Sequence, residues 1–350
     1  MTKYYTRACN FYYGKISKEK IKDKTAIPLN KNNLISFDTI EIITRNYKKK
    51  INIKDIESQN LKLKNKIKSD LKLILKKRKF KKLSFLNLPI LMGVVNLTPD
   101  SFSDGGKYNK KNLGYFHAKS LIKMGCKILD IGGESTRPGA IDIEEKTEWK
   151  RINSTLKKLK KFKFFISLDT RKSQIMEKGI KYKINLINDV SGLTYDSNTI
   201  NILKKYNIPF VIHHTKGDPK TMQKNPSYKN VLLDIYDFFE KKIKEIRSKG
   251  IKHNNIILDP GIGFGKNLKH NITLISNISI FHSLGFPIML GISRKKFIKD
   301  LSGNNDSKER LGGTISSSLH AVTQGVQILR VHDVNEVSQS LKVFKSIKYT

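Results

Sequence analysis

The chain has 350 residues, 68 of them Lys or Arg and 30 Asp or Glu, for a formal net charge of +38. That length suits one α/β domain of about 250 residues with an appendage. Its two cysteines, Cys9 and Cys126, exclude a disulfide-stapled fold and any C-x-x-C redox or zinc spacing.

A charge this large points toward nucleic acid or an anionic surface. The lysines, however, run through nearly every segment beside abundant Ile and Asn, which reads as a bias of composition; only residues 1–86 concentrate them. The opening "MTKYYTRACNFYYGKISKEK" lacks the apolar core of a secretory signal, and no uncharged apolar run reaches the roughly eighteen residues of a membrane span. The expectation is a soluble, cytoplasmic protein with no membrane partner.

Residues 1–86 begin aromatic and basic and end in "NLKLKNKIKSDLKLILKKRKF", which has the spacing of an amphipathic helix. Near residue 86 the composition shifts to short apolar runs and Gly-punctuated loops. This sets a boundary between a lysine-rich extension, 1–86, and a larger domain, 87–350. In the second part eight strand-like runs follow in order: "ILMGVVNLT", "CKILDIGGE", "FKFFISLDT", "INLINDV", "IPFVIHHT", "IILDPGIG", "FPIMLGIS" and "GVQILRVHD". Helical segments such as "EEKTEWKRINSTLKKLKKF" lie between them. Alternating strands and helices imply parallel pairing, and eight strands close a (β/α)8 TIM barrel. An open doubly wound sheet is the rival, but its glycine-rich turn after the first strand is missing.

A barrel builds its site where the strands end, and here each run turns polar at its end. The first ends in Asn96, the second in Asp130 followed by Glu134, the third in Asp169, the fourth in Asn188 and Asp189. The fifth ends in His213 and His214, the sixth in Asp259, the seventh in Ser293, Arg294 and Lys295, the last in Arg330, His332 and Asp333. Singly, each is as easily a cap or loop residue; together they form a rim. Carboxylates Asp169 and Asp259 with Asn188 suit the adjacent N–H donors of a nitrogen-rich ring. Arg137, Arg330 and His332 suit phosphate, although Arg330 could instead pair with Asp333.

"DPGIGFGK", residues 259–266, is not a P-loop, because its spacing fails G-x-x-x-x-G-K-[ST]. Its glycines let backbone pass beneath a flat ligand, with Phe264 near its face. His213 and His214 alternate across a strand and so cannot share one metal.

With "MGVVNLTPDSFSDGG", "LDIGGESTRPGA", "SLDT", "INDVSG", "DPGIGFGK", "GISRK" and "LRVHD" in that order, residues 88–347 strongly resemble the dihydropteroate synthases of folate biosynthesis. The resemblance implies a transferase that joins a hydroxymethyl-dihydropterin diphosphate to p-aminobenzoate and releases diphosphate. It implies Asn96 as a ligand of Mg2+, and Asp169, Asn188, Asp259 and Lys295 as the pterin-holding set. Arg330 and His332 would hold the diphosphate with help from Arg137, and Lys295, Arg330 and His332 would be the catalytic group. Thr136, Pro138, Phe264 and Ser293 would receive the aminobenzoate, and Phe102 belongs to the first loop. A homodimer and sulfonamide inhibition are further implied. One departure stands out: the family has a methionine beside the histidine after strand five, where this chain has Ile212, His213 and Thr215 around His214.

Two other readings compete. One is a pterin-binding relative without this turnover, either a non-catalytic paralogue or a methyltetrahydrofolate methyltransferase-like domain. The other is a nucleic-acid-binding protein on a barrel scaffold, which requires residues 1–86 to carry a salt-dependent affinity. For that segment the plainer expectation is a small domain packed on the barrel.

Overall fold

A computed structural model of the chain describes residues 2–78, 83, 85, 89–98, 112–135, 140–217 and 221–349. The chain opens with β1 (Tyr5–Tyr13), α1 (Gly14–Lys22), β2 (Ile27–Leu29), β3 (Asn32–Ile43) and β4 (Lys48–Asn52), followed by α2 (Leu61–Leu75). The long β3 pairs antiparallel with β1, β2 and β4. Asn30 and Lys31 join β2 to β3 with φ of 55° and 56°; positive φ at both central residues suits a tight hairpin, and Asn tolerates it well. Exposed Lys48, Lys49 and Lys50 run along β4, a composition that discourages edge-to-edge pairing.

The expected amphipathic helix is α2. The Asn60 side chain caps it by accepting from the Leu63 amide, and Leu63, Ile67, Asp70 and Ile74 form its buried stripe while most of its lysines face outward. Asp70 is held in that stripe by Thr6 at 2.7 Å and Lys66 at 2.6 Å.

The second part is a barrel of parallel strands: β5 (Ile90–Asn96), β6 (Ile128–Gly132), β7 (Phe165–Asp169), β8 (Leu186–Asp189), β9 (Phe210–His213), β10 (Ile256–Asp259), β11 (Met289–Leu290) and β12 (Ile328–Val331). All eight expected runs contain one. Their order is β10-β9-β8-β7-β6-β5-β12-β11, and a parallel bridge between Leu258 and Ile288 joins the two ends. That bridge excludes the open sheet. Outside lie α3 (Leu113–Lys123), α4 (Glu145–Leu159), α5 (Ser173–Ile180), α6 (Thr199–Tyr206), α7 (Val231–Ser248), α8 (Leu268–Ser276), α9 (Lys296–Ser302), α10 (Leu311–Val322) and α11 (Val334–Lys348). Among the described residues no helix is long and apolar enough to cross a membrane.

The N-terminal unit closes the floor of the barrel. Ile90, Met92, Ile128, Leu186, Val211, Ile257, Met289 and Ile328, at or near the beginnings of the strands, share one apolar core with Ala8, Leu29, Ile35, Phe37, Ile40 and Ile42. Polar ties reinforce the seam. Ser279 donates to the Ala8 carbonyl at 2.9 Å, Arg78 to that of His282 at 3.0 Å, and Tyr13 to that of Thr323. A small domain packed on the barrel was expected; the structure adds that its core is continuous with the barrel's. The expected boundary at residue 86 lies outside the described residues.

Candidate active site

Opposite that floor, the strand ends converge on a cavity of about 710 Å3, within the range of small-molecule sites. Asn96, Asp169, Phe264, Ser293, Lys295, Arg330 and His332 line it. Asn188 and Asp259, 1% and 3% exposed, lie buried beside them. Strand register brings the middle group together: Gly132, Asp169 and Asn188 are lateral partners on β6, β7 and β8. Thr136, Arg137 and Pro138, like Phe102, lie outside the described residues.

Arg330 is the link between the two halves of the rim. Its Nε donates to Asp130 at 2.6 Å and its Nη2 to Asp169 at 2.7 Å. Asn188 Nδ2 donates to the same Asp130 oxygen at 3.0 Å. The pairing with Asp333 left open by the sequence is not formed: Arg294 takes that carboxylate through Nε at 3.0 Å and through Nη2. Although burial opposes its charge, Asp130 and Asp169 hold the pKa of Arg330 above the ordinary value. Burial, reinforced by nearby Asp130, pushes the Asp169 carboxyl up to about 8. Burial also raises Asp259 to about 6, opposed by the Gly261 amide, which donates to Asp259 Oδ1 at 2.8 Å.

The sixth-strand loop does what its glycines suggested. Gly261 has φ +69°, and a Cβ there would lie 2.0 Å from the His214 carbonyl oxygen. The loop rests directly on the chain leaving β9. Phe264 then stands at the wall, with the Lys295 ammonium 4.1 Å from its ring centre and the His213 ring edge-on at 4.5 Å. His214 packs instead against Phe238 at 4.8 Å, so the two histidines serve different surroundings, as their alternation required. Burial holds both well below the ordinary histidine range. Near the departure from the family pattern, Thr215 donates to the sulfur of buried Met222 at 3.7 Å. Ser293 meets His332 Nδ1 at 3.0 Å and accepts from its backbone amide at 3.2 Å; it orients the expected diphosphate ligand as well as lining the cavity.

Three features escaped assignment from sequence. Asp130 is a rim residue whose partners the sequence does not show, although an acid inside the apolar run "ILDIG" is itself a signal. Lys266, buried at the cavity wall, approaches His214 Nδ1 at 3.0 Å and donates to the Phe264 carbonyl at 2.8 Å, with burial lowering it to about 7. The third is a buried ionic cluster. Glu134 accepts from Arg171 at 3.0 Å, Lys172 at 2.8 Å and the Ile143 amide at 3.2 Å, and Lys172 also reaches Glu148 at 2.8 Å. These contacts pin together the two flanks of the segment that carries Thr136 to Pro138.

The sequence profile of the pterin binding enzymes matches residues 92–332, the barrel just described. The chain belongs to the dihydropteroate synthase family. It is 41% identical over 267 residues to the dihydropteroate synthase of Neisseria meningitidis serogroup B, covering 75% of this chain and 94% of that one. Two solved structures are similar. The dihydropteroate synthase of Yersinia pestis in complex with a sulfonamide drug is 35% identical with a TM-score of 0.71, covering 76% of this chain and 95% of that one. The Xanthomonas albilineans enzyme with 4-aminobenzoic acid is 32% identical with a TM-score of 0.69, covering 75% and 94%. The family's activity is that of a transferase, and this chain carries an additional N-terminal unit that lies before the matched residues.

Proposed function

We propose that the protein condenses 6-hydroxymethyl-7,8-dihydropterin diphosphate with p-aminobenzoate to give 7,8-dihydropteroate and diphosphate. The observation that carries this reading is the arrangement of one cavity: hydrogen-bond acceptors Asp169, Asn188 and Asp259 stand beside the cations Lys295, Arg330 and the donor His332. A ring rich in N–H donors and an anion can be held next to each other there, with the methylene carbon between them.

In the reaction, the carbon–oxygen bond to diphosphate breaks and a carbon–nitrogen bond to the aromatic amine forms, with loss of one amine proton. The acceptors, Asp259 chief among them because its carboxyl is raised only to about 6, stabilise positive charge left on the pterin methylene. Arg330 and His332 stabilise the charge growing on the leaving oxygens, an assistance worth about 3 kcal/mol per well-placed donor. The amine is already nucleophilic, so its pocket of Phe264 and Ser293, with Thr136 and Pro138 assigned by resemblance, has to orient it rather than activate it.

Asn96 is the residue we assign to Mg2+. Among the described residues no group of three or more His, Cys, Asp or Glu side chains could hold a metal. A single amide oxygen at a strand end fits a hard cation that keeps its waters and is bound chiefly through substrate phosphates. When bound it would neutralise diphosphate charge. A cytoplasmic setting, for which the free, buried Cys9 and Cys126 speak, and a homodimer complete the reading; nucleic acid and membrane have no part in it.

Diphosphate release on mixing the protein with the pterin diphosphate, p-aminobenzoate and Mg2+, with a sulfonamide as competitor, tests the proposal. Turnover suppressed by the sulfonamide is expected. Pterin binding by folded protein without diphosphate release would instead indicate the pterin-binding paralogue.

A further inference from the structure

We propose that Asp130 is the positioning residue that couples the two halves of the site: it fixes the face Asn188 shows to the pterin and the direction in which Arg330 offers its guanidinium to the diphosphate. The inference rests on the functional reading above and deepens it.

Asp130 sits in the middle of β6 with no exposure, and its partners Asn188 and Arg330 are side chains of the site, so it acts through them. Its Oδ2 receives both the Asn188 amide N–H at 3.0 Å and the Arg330 Nε–H at 2.6 Å. One carboxylate oxygen therefore ties a side chain from β8 to one from β12. The consequence for Asn188 is orientation. Turned the other way, its amide oxygen would face a carboxylate oxygen, two acceptors without a proton between them. With the NH2 group on Asp130, the Asn188 Oδ1 is directed elsewhere, buried and without a hydrogen-bond partner among the described residues. A buried acceptor left in this way is relieved by a ligand N–H donor, and a ring nitrogen or exocyclic amine supplies one. Asp130 thus makes Asn188 an acceptor rather than a donor toward the ring.

For Arg330 the consequence is direction. With Nε on Asp130 and Nη2 on Asp169, one edge of the guanidinium is spent on the barrel interior. Nη1 makes no hydrogen bond to a described residue, and the Arg330 side chain lines the cavity. The planar fork is thereby pre-set for an anion at its other edge. The same carboxylate serves both recognition events, so they are not independent.

Two variants separate these roles. Asp130→Asn keeps the shape and can still accept from Asn188, but it holds Arg330 without charge. KM for the pterin diphosphate is expected to rise about 10-fold, while affinity for the free dihydropterin stays within about threefold. Asp130→Ala releases both partners, and affinity for the free dihydropterin falls about 10-fold as well. In the double variant Asp130→Ala, Asn188→Ala, that loss is no greater than for Asn188→Ala alone, because the two act as one unit. A merely structural Asp130 would lower Tm and the active fraction without this split between ligands.

An unchanged KM for the diphosphate substrate in Asp130→Asn overturns the proposal, as do strictly additive losses in the double variant. Should the alanine variant fail to fold, the isosteric asparagine variant carries the decision. The wild-type chain assayed alongside keeps the two readings apart: absence of diphosphate release there sinks the synthase reading, whereas wild-type turnover without the split sinks the role of Asp130 alone.

Discussion

Arg294, which lines the cavity, closes on Asp333, Nε donating to Oδ2 at 3.0 Å and Nη2 to Oδ1. Arg294 takes up this conformation with φ 60°, uncommon for a side chain of its size, and Arg310 holds its carbonyl at 2.9 Å. This pair removes from Arg330 the one acid near it in sequence. Arg330 is left to carboxylates 200 and 161 residues away.

Removal of that guanidinium should therefore discriminate between ligands. Arg330→Ala is expected to weaken the pterin diphosphate about 100-fold and free dihydropterin less than about 10-fold, since a charge-assisted contact to phosphate outweighs a neighbouring effect on the ring. Titration calorimetry with each ligand gives the comparison. Equal losses would mean that the anion lies elsewhere.

The raised pKa of Asp169 carries a stability signature. A carboxyl held near 8 in the fold, against 3.8 ordinarily, favours its protonated form; its contribution is complete below the unfolded value and is lost as pH climbs toward 8. Asp169→Asn stays neutral throughout. Its Tm relative to wild type should rise between pH 5 and pH 8, whereas parallel curves would show that Asp169 ionises normally. Asp259, also raised by burial, is common to both proteins, and the difference reports Asp169 together with its coupling to Asp130 and Asp189.

Two glycine substitutions should behave oppositely. Gly261→Ala forces a Cβ to 2.0 Å from the His214 carbonyl at φ +69°; pterin affinity and turnover should both collapse. At Gly312, in the first turn of α10, a Cβ meets nothing within 4 Å. Gly312→Ala should raise stability by about 0.5 kcal/mol through the unfolded chain and leave turnover as it was. Retained activity in Gly261→Ala would show that the β10 loop can be rebuilt.

The shared floor predicts that the N-terminal unit and barrel unfold together. Phe37, fully buried in the common core, should cost about 4 kcal/mol on change to Ala, and the loss should appear in a single transition monitored both by catalytic activity and by far-UV signal. Replacing exposed Lys48, Lys49 and Lys50 with Ala should leave that transition in place. Two separated transitions would make the N-terminal unit an independent module.

Much of this molecule was legible in one dimension because a barrel strand writes its own end: the apolar run stops where the chain leaves the core, and the polar residue at that stop lies in or beside the rim. Asn96, Asp169, Asn188, Asp259 and Arg330 could be named on that ground, and the ordered motifs gave the family. The sequence could not say that Asp130 lies between Asn188 and Arg330, or that Asp333 belongs to Arg294. Nor could it say that the lysine-rich segment buries Phe37 and Ile40 in the barrel floor. Those facts depend on strand register and closure, which bring together groups far apart along the chain. Local periodicity determines which face of a strand or helix is apolar; only the closed tertiary fold decides which distant side chain receives a buried proton donor or fills a particular gap.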